Sequence, residues 1–182
     1  MTPRERVMAA IDHRPTDRVP ADLWAEEEVW ERLQSRKTFE RFIAPPIRTL
    51  AQFAHSHGVK FMFHSCGSVR ELIPDLIELG VDILNPIQPA AAGMAPEGLK
   101  TDFGAKLSFH GGIDIQYLLP LESAQAVRAE VRRRVEILGQ GGGYILAPSH
   151  NLQQDISTEN IIAMYDPGLR TALAHMPMEP CR

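Results

Sequence analysis

From residue 60 onward, short apolar runs alternate with amphipathic segments in a regular order. Runs such as KFMFH and GYILAPSH are typical of buried β-strands, whereas SVRELIPDLIELG and SAQAVRAEVRRRVEILG place apolar residues at helical spacing. Strand and helix alternate with short connections, which predicts parallel strands joined by crossover helices. The predicted strands begin near Lys60, Ile83, Leu107 and Tyr144, and a weaker strand covers Arg18 to Leu23.

The segments between and before these strands predict helices with defined ends. The stretch beginning PPIRTL predicts a helix that stops at Gly58, and PEGLKTDFG predicts a short helix. Ser123 is the expected cap of the long helix SAQAVRAEVRRRVEILG, and Ser157 that of STENIIAMY. Nearer the N-terminus, TPRERVMAAIDHRP and AEEEVWERLQSRKTFERF also have helical patterns.

The chain is too short for a closed barrel of eight strands and eight helices. Such a barrel usually takes about 250 residues, and this sequence has 182 residues with about five predicted strands. We therefore expect an α/β fold that is either an open sheet or part of a (β/α)8 barrel. Because an open parallel sheet exposes apolar edges and faces, we also expect association into a homo-oligomer such as a dimer, poor solubility or partial disorder.

Composition excludes several classes of function. The chain is 44% hydrophobic and 23% charged, with a net charge of −4, which is typical of one globular domain. It has no basic stripe for nucleic acid, and no apolar run approaches the roughly 20 residues that span a membrane. Its N-terminus lacks a signal-peptide core, and its two cysteines lie far apart, so we expect a reducing, cytoplasmic setting.

Polar residues follow every predicted strand: HSCG, NPIQ, HGGID and APSHN. In parallel α/β folds the carboxyl ends of the strands form the ligand-facing edge. We therefore expect one opening that binds a small molecule, surrounded by polar side chains from several strands. The candidate residues are His64, Asn85, Gln88, His110, Asp114, His150 and Asn151. Asp114 is equally compatible with capping a turn, and His110 with a position inside a barrel.

His64 and Cys66 are the candidates for metal binding. Residues two apart on an extended segment point to the same side, and zinc prefers nitrogen and sulfur ligands. The alternative is a buried structural cysteine beside a hydrogen-bonded histidine. Ser68 and Glu71 have the spacing of a capping box, which predicts a helix starting two residues after Cys66, whereas Pro74 indicates a later start or a kink.

The order of these motifs resembles the uroporphyrinogen decarboxylase family, whose superfamily includes corrinoid-dependent, zinc-using methyltransferases. The resemblance rests on TPRERVMAAIDHRPTDRVPADLW and on the stretch from HSCGSVRELIPDLIELGVDILNPIQP through GGGYILAPSHNLQQDISTENIIAMY. It implies one family domain over residues 1–166, truncated from a (β/α)8 barrel by an internal deletion near residues 33–36. Residues 167–182 do not resemble the family's closing helix and are expected to form a non-family tail.

The resemblance also implies two candidate activities. The methyltransferase branch implies a zinc site at His64 and Cys66, with His150 as third ligand, and a methyl-corrinoid carried on a separate protein. The decarboxylase branch, which acts in porphyrin biosynthesis, stays open because His150 resembles the histidine of that branch's NLGHG motif. We expect His150 and Asp114 to be catalytic, and Asn85, Gln88, His110 and Asn151 to contact substrate. The acidic stretch VPADLWAEEE, where decarboxylases carry an arginine-rich motif, favours methyl transfer. A catalytically inactive remnant is the third expectation.

Overall fold

The structure is a computed structural model that describes residues 36–175. The chain divides into two compact units, Met1–Ile43 and Ala44–Arg182. Of the first unit, the described part is helical: α1, Arg36–Thr38, is followed by a π-helical segment, Phe39–Ile43. The predicted N-terminal helix and the weak strand from Arg18 to Leu23 lie outside the described residues.

The described part of the second unit, residues 44–175, consists of four strands and the helices that connect and flank them. In chain order they are α2 (Ala44–Ser56), β1 (Met62–His64), α3 (Ile73–Leu79), β2 (Ile83–Ile87), α4 (Pro96–Phe103), β3 (Ser108–Ile113), α5 (Leu118–Leu121), α6 (Ala124–Leu138), β4 (Tyr144–Pro148) and α7 (Thr158–His175). This order confirms the predicted alternation. The short helix α5 was not predicted.

The four strands form one parallel sheet in the order β1-β2-β3-β4. His64 pairs with Asn85, Leu84 pairs with Phe109, and the pairing of β2 with β3 shifts register between Leu84 and Ile87. Each crossover runs through a helix, as parallel neighbours require. The predicted parallel arrangement is therefore confirmed for these four strands.

Two helix boundaries test the predicted caps. Ser123 caps α6, because its hydroxyl accepts a hydrogen bond from Ala126 N at 3.3 Å. The capping box at Ser68 is wrong: the Ser68 hydroxyl donates instead to the carbonyl of Ala92, and a 3-10 turn, Arg70–Leu72, precedes α3. The later start indicated by Pro74 is the one found, since proline suits the first turn of a helix.

The two faces of the sheet have different surroundings. Leu84, Phe109 and Ile113 are fully buried, and Ile113 belongs to an apolar cluster with residues of α6 and α7 that also contacts Leu146. Side chains alternate between faces along a strand. The neighbouring positions, including His110 and Ala147, therefore face the other side, where they line a cavity.

A charged cluster ties the amino ends of β1 and β2 to the C-terminal end of α2. The Asp82 carboxylate accepts hydrogen bonds from Nζ of Lys60 at 2.8 Å, Nε2 of His55 at 2.6 Å and the backbone N–H of Phe61 at 2.9 Å. Burial alone raises the pKa of Asp82, but these hydrogen bonds outweigh it and lower the pKa to about 2. The cluster lies at the opposite end of the strands from the polar strand ends and is structural.

A search of the described residues for a helix with the length and apolar character that a bilayer crossing requires gave none.

Candidate functional site

A cavity of about 380 Å³ opens at the carboxyl ends of the strands. This volume lies within the range of small-molecule pockets. Its lining comes from β1, β2, β3, β4 and the loop after β4: His64, Asn85, Pro86, His110, Ala147, Pro148, Ser149, His150, Asn151 and Leu152. The structure thus brings five of the predicted site residues, His64, Asn85, His110, His150 and Asn151, to one cavity.

The side chains of His64 and Cys66 lie on the same side of the chain, as their spacing predicts. Nε2 of His64 is 3.4 Å from Sγ of Cys66. Cys66 is exposed, which does not fit the alternative of a buried structural cysteine. Gly67 follows with a φ of 83° and donates its backbone N–H to the side-chain oxygen of Gln88, which fixes the turn after Cys66.

Asn85 links the two strand-borne histidines on either side of it. Its Oδ1 lies 2.6 Å from Nδ1 of His64, and its Nδ2 lies 2.5 Å from Nδ1 of His110. An amide oxygen only accepts and an amide nitrogen only donates, so Nδ1 of His64 carries a proton and Nδ1 of His110 does not. The free lone pair of His64 is therefore on Nε2, the atom that faces Cys66.

The protonation of His110 agrees with this pattern. Partial burial lowers the pKa of His110 below its usual value of 6.5 and favours the neutral ring. A neutral ring that accepts at Nδ1 carries its proton on Nε2. His110 is therefore a hydrogen-bond donor through Nε2.

The His64–Cys66 pair fits one half of a zinc site. Two ligands of a tetrahedral zinc, with Zn–N near 2.0–2.1 Å and Zn–S near 2.3 Å, lie about 3.5 Å apart, which matches the 3.4 Å found here. A zinc-bound histidine normally donates its other N–H to a fixed acceptor. For His64 that acceptor is the side-chain oxygen of Asn85. Among the described residues, however, no group of three His, Cys, Asp or Glu side chains is placed to hold a metal.

The loop after β4 brings His150 and Asn151 to the cavity. Two hydrogen bonds made by Ser149, which the sequence did not predict, hold this loop in place. Ser149 is buried, and its hydroxyl donates to the carbonyl of Ile87 at 3.0 Å while its N–H donates to Ile113 at 2.8 Å. His150 and Asn151 are themselves exposed. The sequence alone does not show whether a serine at a strand end holds the loop in place or contacts a bound molecule.

Three predicted site residues, Cys66, Gln88 and Asp114, are not among those that line the cavity. Oδ1 of Asp114 accepts hydrogen bonds from the backbone N–H groups of Gln116, Tyr117 and Leu118, at 3.1, 2.6 and 3.0 Å. Asp114 therefore has the turn-capping geometry that was its alternative interpretation. Gln88 holds the Gly67 N–H, so it supports the His64–Cys66 segment rather than facing the cavity.

Comparisons with known proteins agree with this architecture, a parallel α/β sheet with a polar site at its carboxyl edge. Residues 21–167 match the family model for uroporphyrinogen decarboxylase (URO-D). The chain therefore belongs to the uroporphyrinogen decarboxylase family. No curated protein matched in a sequence search.

Among solved structures, the chain is similar to a methyltransferase from Methanosarcina mazei. The TM-score is 0.61 at 20% sequence identity, and the match covers 78% of this chain. This chain spans only 39% of the length of that protein. Together with the four parallel strands and their surrounding helices, the match identifies the fold as a truncated form of the family's TIM-barrel-like architecture.

Proposed function

We propose that this protein takes part in zinc-dependent methyl transfer from a methyl-corrinoid, carried on a separate protein, to a thiol-type acceptor. The observation that carries the proposal is the His64–Cys66 pair, with its 3.4 Å separation and its link to Asn85. His64 and Cys66 would hold the metal, and His150 is the candidate third ligand. When bound, zinc supplies Lewis acidity, which favours the thiolate form of the acceptor near neutral pH.

The chain's own residues prepare the acceptor side of the cavity. Asn85 holds His64 in the tautomer that leaves Nε2 free for a metal. His110 is held through its Nδ1, so its Nε2–H is available to donate a hydrogen bond to a bound acceptor. The acceptor thiol would release its proton to solvent and its sulfur would receive the methyl group, while the electron pair of the donor's cobalt–carbon bond stays with the corrinoid.

Porphyrinogen decarboxylation, the family's eponymous activity, is less well supported by this site. A porphyrinogen substrate carries eight carboxylates and calls for cationic side chains around it. The residues that line the cavity within the described part of the chain include neither lysine nor arginine. The histidines there favour a small, weakly charged ligand instead.

Metal analysis tests the proposal. The full chain is purified, and bound zinc is measured by mass spectrometry for wild type, His64→Ala, Cys66→Ala and the matched control Cys181→Ala. We expect stoichiometric zinc in wild type and control and strong loss in the two site variants. Methyl transfer from free methylcobalamin to a small thiol should fall in parallel. Absence of zinc together with turnover of uroporphyrinogen would support decarboxylation. Absence of both methyl transfer and decarboxylation would support an inactive remnant.

A further inference from the structure

The main chain on both sides of Cys66 is hydrogen-bonded to β2 or to the residue that follows it. The N–H of Ser65 donates to the carbonyl of Asn85 at 2.8 Å. The N–H of Gly67 donates to the side-chain oxygen of Gln88. These two bonds determine the path of the chain at Cys66, and therefore the direction in which its sulfur points.

The β2 loop, residues 88–95, connects β2 to α4 and is itself held by residues that follow β1. The Ser68 hydroxyl donates to the carbonyl of Ala92 at 2.6 Å. Nη1 of Arg70 donates to the carbonyl of Gly93 at 3.2 Å. The first residue of the β2 loop thus holds the segment after β1, and that segment in turn holds the far part of the β2 loop.

Arg70 also connects the β2 loop to α4. Its Nη2 pairs with the carboxylate of Asp102, and its Cζ lies 5.5 Å from the centroid of the Phe103 ring. A Cβ at Gly93 would lie 3.2 Å from Cδ of Arg70, and one at Gly98 would lie 3.3 Å from its Nη1. The planar guanidinium therefore binds partners in two directions from a space that two glycines leave open, which a lysine ammonium could not reproduce.

We propose that Arg70 is a positioning residue for Cys66. It holds the β2 loop in the place from which Gln88 fixes the turn after Cys66, and so keeps Sγ of Cys66 beside Nε2 of His64. The side chains of Arg70 and Asp102 are 31% and 46% exposed, and an ion pair exposed to this extent contributes little to overall stability. The consequence for zinc rests on the proposed function, whereas the positioning of the loop does not.

Amide hydrogen exchange at Gly67 tests the positioning in the metal-free protein. NMR measures the exchange rate of this one N–H in the full chain. Arg70→Met keeps an apolar stem but removes every donor, so it should raise the Gly67 exchange rate severalfold, as should Gln88→Leu. Arg128→Met is the matched control, because Arg128 on α6 is 37% exposed and pairs with Asp166 at 3.9 Å. It should leave the Gly67 rate unchanged.

Zinc affinity, measured by competition with a chromophoric chelator, gives the second readout. Arg70→Met should weaken zinc binding about tenfold, the lower end of the effect of losing an outer contact to a metal ligand. Asp102→Asn keeps an oxygen for Arg70 and should retain most of the affinity, whereas Asp102→Leu should lose it. Arg70→Met combined with Gln88→Leu should cost less than the sum of the two single losses, because both act through the same contact at Gly67.

Three results would overturn the positioning role: an unchanged Gly67 exchange rate in Arg70→Met, an equal rise in Arg128→Met, or fully additive losses of zinc affinity. If Arg70→Met does not fold, Asp102→Leu decides by the same measurements. Faster exchange at Gly67 in Arg70→Met, in a protein whose wild type binds no zinc, would refute the proposed function and leave the positioning of the loop standing. Zinc binding in wild type with unchanged exchange in Arg70→Met would do the reverse.

Discussion

The side-chain oxygen of Asn85 lies 2.6 Å from Nδ1 of His64, on the neighbouring strand. This contact fixes which nitrogen of the imidazole carries the proton, and it leaves Nε2 directed at Cys66. In the proposed zinc site, the orientation of His64 is therefore set by a residue that is not itself one of the proposed ligands.

Replacing Asn85 with leucine should weaken zinc binding without removing a ligand. Loss of a partner that orients a metal-binding histidine typically costs about 10–100-fold in metal affinity. Competition with a chromophoric chelator measures that affinity. Asn160→Leu provides the control: Asn160 is buried and donates to the carbonyls of Leu119 and Glu122, so its loss should lower the melting temperature and leave zinc affinity unchanged. Unaltered affinity in Asn85→Leu would contradict the role assigned here.

The lowered pKa of His110 should make the free energy of unfolding decrease as the pH falls. Burial lowers the pKa of His110 below 6.5, so between that value and the lower folded-state pKa the unfolded chain binds more protons. Stability therefore falls as pH drops through 6.5, and His110→Gln should reduce this dependence. NMR titration of the imidazole checks the cause directly. A midpoint at or above 6.5 would show that the ring is not held neutral.

Gly111→Ala should destabilise the protein more than Gly141→Ala. Both glycines have positive φ, 108° and 71°, so each alanine carries backbone strain of about 1–2 kcal/mol. A Cβ at Gly111 would also lie 3.1 Å from Ile87 N and from the Pro86 side chain, whereas nothing lies within 4 Å at Gly141. Urea unfolding should show roughly 1–3 kcal/mol of additional loss for Gly111→Ala. Equal losses would mean that the β2–β3 contact adjusts freely.

Asp82 should support stability in moderately acidic solution. Its pKa is lowered from 3.8 to about 2, because hydrogen bonds from Lys60, Phe61 and His55 outweigh the burial that raises it. The resulting stability is present above pH 4 and is lost as pH falls towards 2. Asp82→Asn should be less stable than wild type at pH 5, and the difference should shrink as pH approaches 2. Lys60→Met should reproduce part of the effect, and a constant difference across this range would refute the explanation.

The sequence predicted the sheet well because strand and helix periodicity are local properties. The four parallel strands, the helix cap at Ser123 and the convergence of His64, Asn85 and His110 on one edge all follow from that alternation. The choice between the two predicted starts of α3 did not, because the Ser68 hydroxyl donates to the Ala92 carbonyl and Arg70 pairs with Asp102 on α4. Such partners are distant in sequence and become neighbours only after the chain has folded.

The sequence predicted which residues lie at the site better than it predicted the contacts between them. Asn85 reaches both His64 and His110 across a sheet whose register shifts between Leu84 and Ile87. A register shift leaves no mark in the hydrophobic pattern, since it depends on how two strands meet. Nor did the pattern separate Asp114, which accepts hydrogen bonds from the backbone of the turn that leads into α5, from the residues that line the cavity.

The Ser149 hydroxyl joins the end of β4 to the end of β2 across 62 positions of sequence. This bond holds the loop of His150 in place relative to Asn85 without using the outer helices. Insertions or deletions in the loops at the amino ends of the strands, such as the glycine run at 141–143, should then be tolerated during evolution while the spacing of the site stays constant. The length of these loops can therefore change without altering the cavity at the other end of the strands.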